Sequence, residues 1–517
     1  MKEKFKGKPV STILLMMGAT LLSKVLGMLR SVLMTAHYGT GMEANAFSSA
    51  SHIPLTFFDL LFGAAVLGCF IPVYNGFPEE KKRDADRFAC NFYNVITLAA
   101  GLLALAGILL ADVIIAIMAP GLDGETRALA ARLLRIMFPM AIFTASTYTL
   151  VGVMQSKGHY LLPAAVSAIS NGAIILYFVL FDRMLGERAI YGLALAYLAA
   201  WLLQLLTLAI PLLHGGFSYV PVVDLRDGAL RRSIRSALPI MVGSWLTPVS
   251  ILAGLHFASY VDVRGAVTVF DYSYTLYTII AGTLTYSICN YAFPLLSRLS
   301  GEQDEAEWSA IVSKGLSSAL ALILPFAAAT ALLAGEGVSF LYLRGEFSAS
   351  DARETALALR CMALGMPAFT VIEIGSRVFY SKGILKIPVV AAAVGIVTNV
   401  LSSAILVRFP ALRVGSVALG YSLGQIGAAA TLLLALARRT RGVLDWRFAR
   451  TLLHTLLRTA ASFGVMLVCY LLFAADPYES SKLRCMLCAG AVLVPGALCY
   501  LVLLRLFGAR GKDVIES

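Results

Sequence analysis

Apolar stretches long enough to cross a bilayer recur from one end of this chain to the other, and that recurrence restricts its fold more than any single motif. They fall near residues 10–36, 45–75, 88–118, 127–156, 161–182, 188–213, 236–261, 267–297, 307–334, 351–381, 386–408, 412–437, 451–474 and 483–507. Inside hydrocarbon every backbone N–H and C=O has to be satisfied within the spanning element, which leaves helices for segments of this length. The expected fold is an all-α polytopic membrane protein with fourteen transmembrane helices. Composition agrees: 59% of the 517 residues are hydrophobic and 14% are charged, and the mean hydropathy is +0.80.

Lysine and arginine set the orientation. They gather at Lys2, Lys4, Lys6 and Lys8, at Lys81, Lys82, Arg83 and Arg87, at Arg226, Arg231, Arg232 and Arg235, and at Arg438, Arg439, Arg441, Arg447 and Arg450. All four groups fall on one side of a fourteen-helix path, so both termini are expected in the cytoplasm of a bacterial inner-membrane protein. The net charge of +12 is explained by these loops, and nucleic acid is not an expected partner. An internal repeat divides the chain. Ser156-Lys157-Gly158 with Pro163 matches Ser381-Lys382-Gly383 with Pro388 at one offset. The repeat predicts two six-helix lobes, 1–213 and 236–437, related by a pseudo-two-fold axis along the membrane normal. A basic cytoplasmic linker, 214–235, joins them, and 438–517 supplies helices 13 and 14 and a cytoplasmic tail.

Two segments carry polar residues where lipid would exclude them. Asn45, Ser49, His52, Thr56, Asp59 and Gly63 follow one helical stripe, and Asp271, Thr275, Thr278, Gly282, Thr285 and Cys289 repeat its spacing on the partner segment of the second lobe. On the first segment Ser23, Gly27, Arg30 and Met34 share a face, with Lys24 beside it. A charge near the bilayer centre costs at least about 2.5–3.5 kcal/mol, so such residues ordinarily face a bundle interior or a wet cavity. The two long stripes are expected to line one central polar pathway. The bland alternative is close helix packing through small residues, with Lys24 and Arg30 snorkelling to an interface. Glu373 and Arg377, four residues apart, are expected to form a structural or gating ion pair.

Catalysis finds little support. The loops offer no Ser/His/Asp set, no Gly-rich phosphate cradle and no paired-carboxylate motif in a convincing context. The eight cysteines lie mainly in or beside apolar segments, and Cys485-x-x-Cys488 reads as packing rather than as a zinc or redox pair. Neither an enzyme, a resident cofactor nor a metal site is expected.

The run Ser23-Lys24-x-Leu26-Gly27-x-x-Arg30, then Gly39-x-Gly41, Ala46-Phe47, Pro54, Ala64-Ala65 and Phe70-x-Pro72-Val73, resembles the opening of the MurJ/MviN lipid II flippases of the MOP exporter superfamily. Ala119-Pro120-Gly121-Leu122, Leu150-Val151-Gly152, Asn171 and Arg377-x-Phe379-Tyr380 before Pro388 are similar to later family positions. The resemblance covers nearly the whole chain. It implies transport of undecaprenyl-diphosphate-linked disaccharide-pentapeptide from the inner to the outer leaflet during peptidoglycan synthesis. The implied device is a cationic cavity working by alternating access, with a groove for the lipid tail on the last two helices. Na+, H+ or the membrane potential is the implied driving force, and membrane lipids and cell-wall synthesis enzymes are the implied partners. Arg30 matches a family arginine and Lys24 stands where arginine is usual. Ser31 and Asn45 replace family aspartates, Phe58 and Asp59 stand where arginines are expected, and Gly63 replaces a glutamate. On the partner segment Tyr274, Thr275 and Thr278 replace a charged pattern. A cavity poorer in cations admits two other readings, a flippase for another lipid-linked oligosaccharide and an ion-coupled multidrug exporter using Asp59 and Asp271. A membrane scaffold for envelope enzymes is the non-transporting alternative.

Overall fold

A computed structural model describes residues 9–63, 69–299, 305–439 and 442–508, so Lys2, Lys4, Lys6, Lys8 and Arg441 lie outside the described residues. Among the described residues the regular structure is helical throughout. The chain divides into two compact units, residues 1–259 and 260–517.

The first unit runs through α1 (Pro9–Tyr38), α2 (Met42–Phe58), α3 (Ile71–Asn75), α4 (Lys82–Leu109), α5 (Ala111–Met118), α6 (Gly124–Met137), α7 (Met140–Ser156), α8 (Leu161–Leu180), α9 (Asp182–Leu185), α10 (Ala189–His214), α11 (Gly228–Ser244) and α12 (Leu246–Ala258). The second contains α13 (Ala266–Leu299), α14 (Glu305–Leu332), α15 (Ala334–Tyr342), α16 (Ala349–Ala363), α17 (Met366–Ser381), α18 (Lys386–Leu406), α19 (Gly415–Arg439), α20 (Trp446–Phe473) and α21 (Lys482–Gly508).

Ten described helices are long and apolar enough to span a membrane, and the pair α16–α17, bent by 46°, makes an eleventh. Among the described residues the count of fourteen is left unconfirmed. The segments expected near 45–75 and 236–261 are interrupted. Pro54 lies inside α2, which passes into a π-turn at Asp59–Gly63, and α11 gives way to α12 at Trp245. The segment expected near 267–297 is α13, an unbroken helix of 34 residues whose first turns carry Asp271, Thr275, Thr278 and three tyrosines.

The repeat is visible as local chemistry. α6 and α16 are each N-capped by a side chain: Asp123 accepts from the Thr126 amide at 2.9 Å, and Ser348 forms a capping box with Asp351. The Thr126 hydroxyl, and then its amide, hold the Asp123 carboxyl below its ordinary range. At the same offset α7 and α17 end in glycines of positive φ, Gly158 (82°) and Gly383 (68°). In each case the next amide returns to the helix, His159 to Met154 at 2.8 Å and Ile384 to Phe379 at 2.9 Å. The lysines before these glycines also behave alike. Lys157 pairs with Asp86 at 3.1 Å near the start of α4, and Lys382 lies 3.7 Å from the ring centre of Trp308 near the start of α14.

The basic linker is a strap along α4. Asn91 exchanges bonds with Asp224 (2.9 and 2.7 Å), and Asn94 donates to the Val222 carbonyl at 2.9 Å. Arg226, Arg231, Arg232 and Arg235 remain exposed.

Candidate functional site

On α1 the small residues and the arginine point to different neighbours. Asn171 of α8 donates to the Ser23 carbonyl at 3.2 Å, and a methyl at Gly27 would meet its amide nitrogen at 3.4 Å. Ser23 bonds its own helix at the Ala19 carbonyl, 2.9 Å. These two positions therefore let α1 approach α8 closely, as small residues do in membranes. Arg30 lies instead with its guanidinium 5.6 Å from the ring centre of Tyr197 on α10. Tyr197 stacks on Trp201 (5.9 Å, 14°), and Phe47 of α2 meets it edge-on (5.0 Å, 74°). An arginine over a ring gains about 0.5–2 kcal/mol and keeps its N–H groups free to face outward. Lys24, six residues earlier on α1, is half-buried.

The stripe on α2 is divided. Asn45, His52 and Asp59 are half-buried, whereas Ser49 (1%) and Thr56 (5%) are buried in the unit. Ser49 donates to the Asn45 carbonyl at 2.7 Å, satisfying itself on its own helix. Asp59 opens the π-turn, and at the next residue the Trp245 indole donates to the Leu60 carbonyl at 2.8 Å. The breaks in two spans are thereby joined by one bond.

On α13 the first half of the stripe is more open than its surroundings. Asp271, Thr275 and Thr278 are half-exposed, while Tyr272, Ser273, Tyr274, Leu276 and Tyr277 are buried. Thr278 bonds the Thr275 carbonyl at 2.9 Å. The second half is packed: Thr285 is hydrogen-bonded to Thr370 at 2.8 Å, and Cys289 is buried. Glu373 and Arg377 form their pair at 3.4 Å, with the guanidinium 5.8 Å from the Tyr286 ring centre.

Sequence reading missed Tyr197, Trp201 and Asp182. The two aromatics lie four residues apart on an apolar helix, a signal that core packing gives equally well. Asp182 is buried between two spans, 2.6 Å from His37 Nδ1, and accepts the Tyr38 hydroxyl at 2.7 Å. It fastens the far end of α1 to the α8–α10 connection. Asp182→Ala should lower stability by about 2–3 kcal/mol, because it strands the buried Tyr38 hydroxyl and the half-buried His37 imidazole. Asp112→Ala, which breaks the exposed pair with Arg135, should cost under about 0.5 kcal/mol. Thermal unfolding of the two variants in detergent checks the contrast.

A profile of the family described as lipid II flippase MurJ matches residues 34–483. The chain belongs to the lipid II flippase MurJ family. The matched stretch begins after Arg30 and takes in α2 through the start of α21. A Rhizobium tropici protein named a probable lipid II flippase MurJ is 28% identical over 459 residues, 87% of this chain and 85% of its own. A Synechocystis relative of the same name is 30% identical over 385 residues, 71% of this chain and 70% of its own. Among solved structures, a lipid II flippase MurJ in an inward closed conformation aligns with a TM-score of 0.79 at 20% identity, covering 96% of this chain and 99% of that one. An inward-facing multidrug resistance MATE transporter of the MOP superfamily aligns at 0.70 and 17% identity, over 83% of this chain and 98% of that one. At these identities the two structures establish the shared fold alone.

Proposed function

We propose that this chain is a lipid II flippase, carrying undecaprenyl-diphosphate-linked disaccharide-pentapeptide from the inner to the outer leaflet of the cytoplasmic membrane by alternating access. The observation that carries the reading is the family match across residues 34–483, and Arg30 supplies the chemistry. A diphosphate entering a low-dielectric site has to exchange its hydration for fixed cations and donors, and a guanidinium offers several N–H groups in a planar fork. Tyr197 holds that fork from behind, so its donors are pre-arranged before cargo arrives. Lys24 is assigned a flanking contact, and Asn45, His52 and the hydroxyls of Thr275 and Thr278 are assigned to the sugars and peptide. The driving force enters the proposal as Na+, H+ or the membrane potential, with Asp59 the acidic group of the first unit's stripe.

The test is growth of a bacterial host whose own lipid II flippase is depleted: expression of this chain should restore cell-wall synthesis and cell shape. Failure to do so despite normal membrane insertion would count against the cargo assignment.

The orientation in this proposal has both termini in the cytoplasm. Single cysteines at Glu80, Arg226 and Arg447, exposed positions in the three basic connections, should resist membrane-impermeant maleimide in intact cells and label once the membrane is opened. The eight native cysteines are replaced in that background. Labelling of all three in intact cells would reverse the topology.

A further inference from the structure

We propose that Trp201 is a sugar-binding platform, stacking on a sugar ring of the cargo whose diphosphate is held at Arg30, with Tyr197 as the positioning residue between them. This rests on the lipid-linked glycan reading above. Tyr197 is occupied on every side that matters. The Arg30 guanidinium lies over its ring, Phe47 abuts it edge-on, and Trp201 stacks against it nearly parallel. Phe47 is itself buried at 3%. Trp201 ends this ladder and is only partly covered within its unit. The row therefore runs from a cation to an aromatic face in two ring spacings, each under 6 Å.

That sequence of groups matches the chemistry of a glycosyl diphosphate. The anionic diphosphate needs a charged fork with several donors, and the pyranose joined to it presents an apolar C–H face at the next ring position. An indole recognises such a face through dispersion and its negative ring quadrupole. Packing alone gives no reason for the ladder to begin at the one arginine inside α1.

The spacing along the helix has the same logic. Tyr197 and Trp201 are four residues apart on α10, so their rings stand one above the other. Arg30 thus registers the cargo by its diphosphate and Trp201 by its sugar, and together they would separate a glycosylated carrier lipid from the bare carrier.

The experiment compares two cargoes on the purified chain in nanodiscs, with native mass spectrometry reading bound lipid. One is the polyprenyl diphosphate carrying the disaccharide, the other the sugar-free polyprenyl diphosphate. Trp201→Leu keeps an apolar side chain but removes the flat ring, and should weaken binding of the glycosylated lipid about tenfold, leaving the bare diphosphate within about twofold. Trp201→Phe should retain most of the preference, and Arg30→Ala should weaken both lipids together. If Trp201→Leu weakens both equally, or neither, Trp201 is a packing residue and the inference is overturned. If the unaltered chain binds neither lipid, the lipid-linked cargo itself is wrong and the platform falls with it.

Discussion

Replacing Arg30 by alanine is expected to reduce flipping by roughly a hundredfold or more while leaving expression and folding near normal. The loss corresponds to one or two charge-assisted hydrogen bonds to the diphosphate, each worth about 1.5–3 kcal/mol in a site shielded from water. Folding should survive because Arg30 is half-buried and rests on one face of Tyr197, and among the described residues the truncation strands no opposing carboxylate. Arg30→Lys should retain part of the activity. It keeps the charge but replaces a flat fork, stacked on a ring, by a mobile point charge. Complementation of a flippase-depleted host and reconstituted transport both read the series. Equal activity of well-folded Arg30→Ala would remove this arginine from the mechanism.

Gly424→Leu is expected to do the opposite, destroying the folded protein rather than its transport. α18 and α19 approach so closely that a Cβ at Gly424 would lie 2.6 Å from Asn399 Cβ and 2.9 Å from the Gly395 carbonyl oxygen. One turn away, Gly420 leaves the same kind of gap for Ser403, and Gly427 leaves one for Thr398. Backbone cannot move aside as a flexible side chain would. Asn399 is 1% exposed and Ser403 fully buried, so neither can swing out to lipid. A leucine has to push the helices apart, forfeiting contacts along the whole interface, at a cost of about 3 kcal/mol or more. Gly101→Ala on α4, where no atom lies within 4 Å of the new methyl, should be neutral or slightly stabilising. Monodisperse elution and thermal midpoint of the two variants make the comparison.

Much of the architecture was legible because it is written in local rules. The spans follow from apolar length, and the repeat follows from Ser-Lys-Gly turns whose glycines adopt the left-handed conformation that ends a helix. The pair Glu373–Arg377 follows from its i, i+4 spacing. Breaks within the spans were less legible. Pro54, the π-turn at Asp59 and the break at Trp245 interrupt helices that a window average reads as single runs. The face chosen by each stripe residue was also hidden. Ser23 and Gly27 share a helical face with Arg30, yet Asn171 takes up the first two and Tyr197 the third. Periodicity fixes which residues lie together and leaves open which neighbour they meet. Ser49 and Thr56 show the same limit, since a polar side chain satisfied by its own helix can be buried without lining any pathway.

Transport of a lipid-linked diphosphate glycan through a site built on Arg30 can be followed directly. Its most direct test is flipping of fluorescently labelled lipid II in proteoliposomes containing only the purified chain, read by the fraction of label open to an added membrane-impermeant quencher. The unaltered chain should carry inner-leaflet label to the outer leaflet well above protein-free vesicles, and Arg30→Ala should fall to the protein-free level. A folded, unaltered chain that moves lipid II no faster than empty vesicles, tested with and without a sodium or proton gradient or a membrane potential, would contradict it.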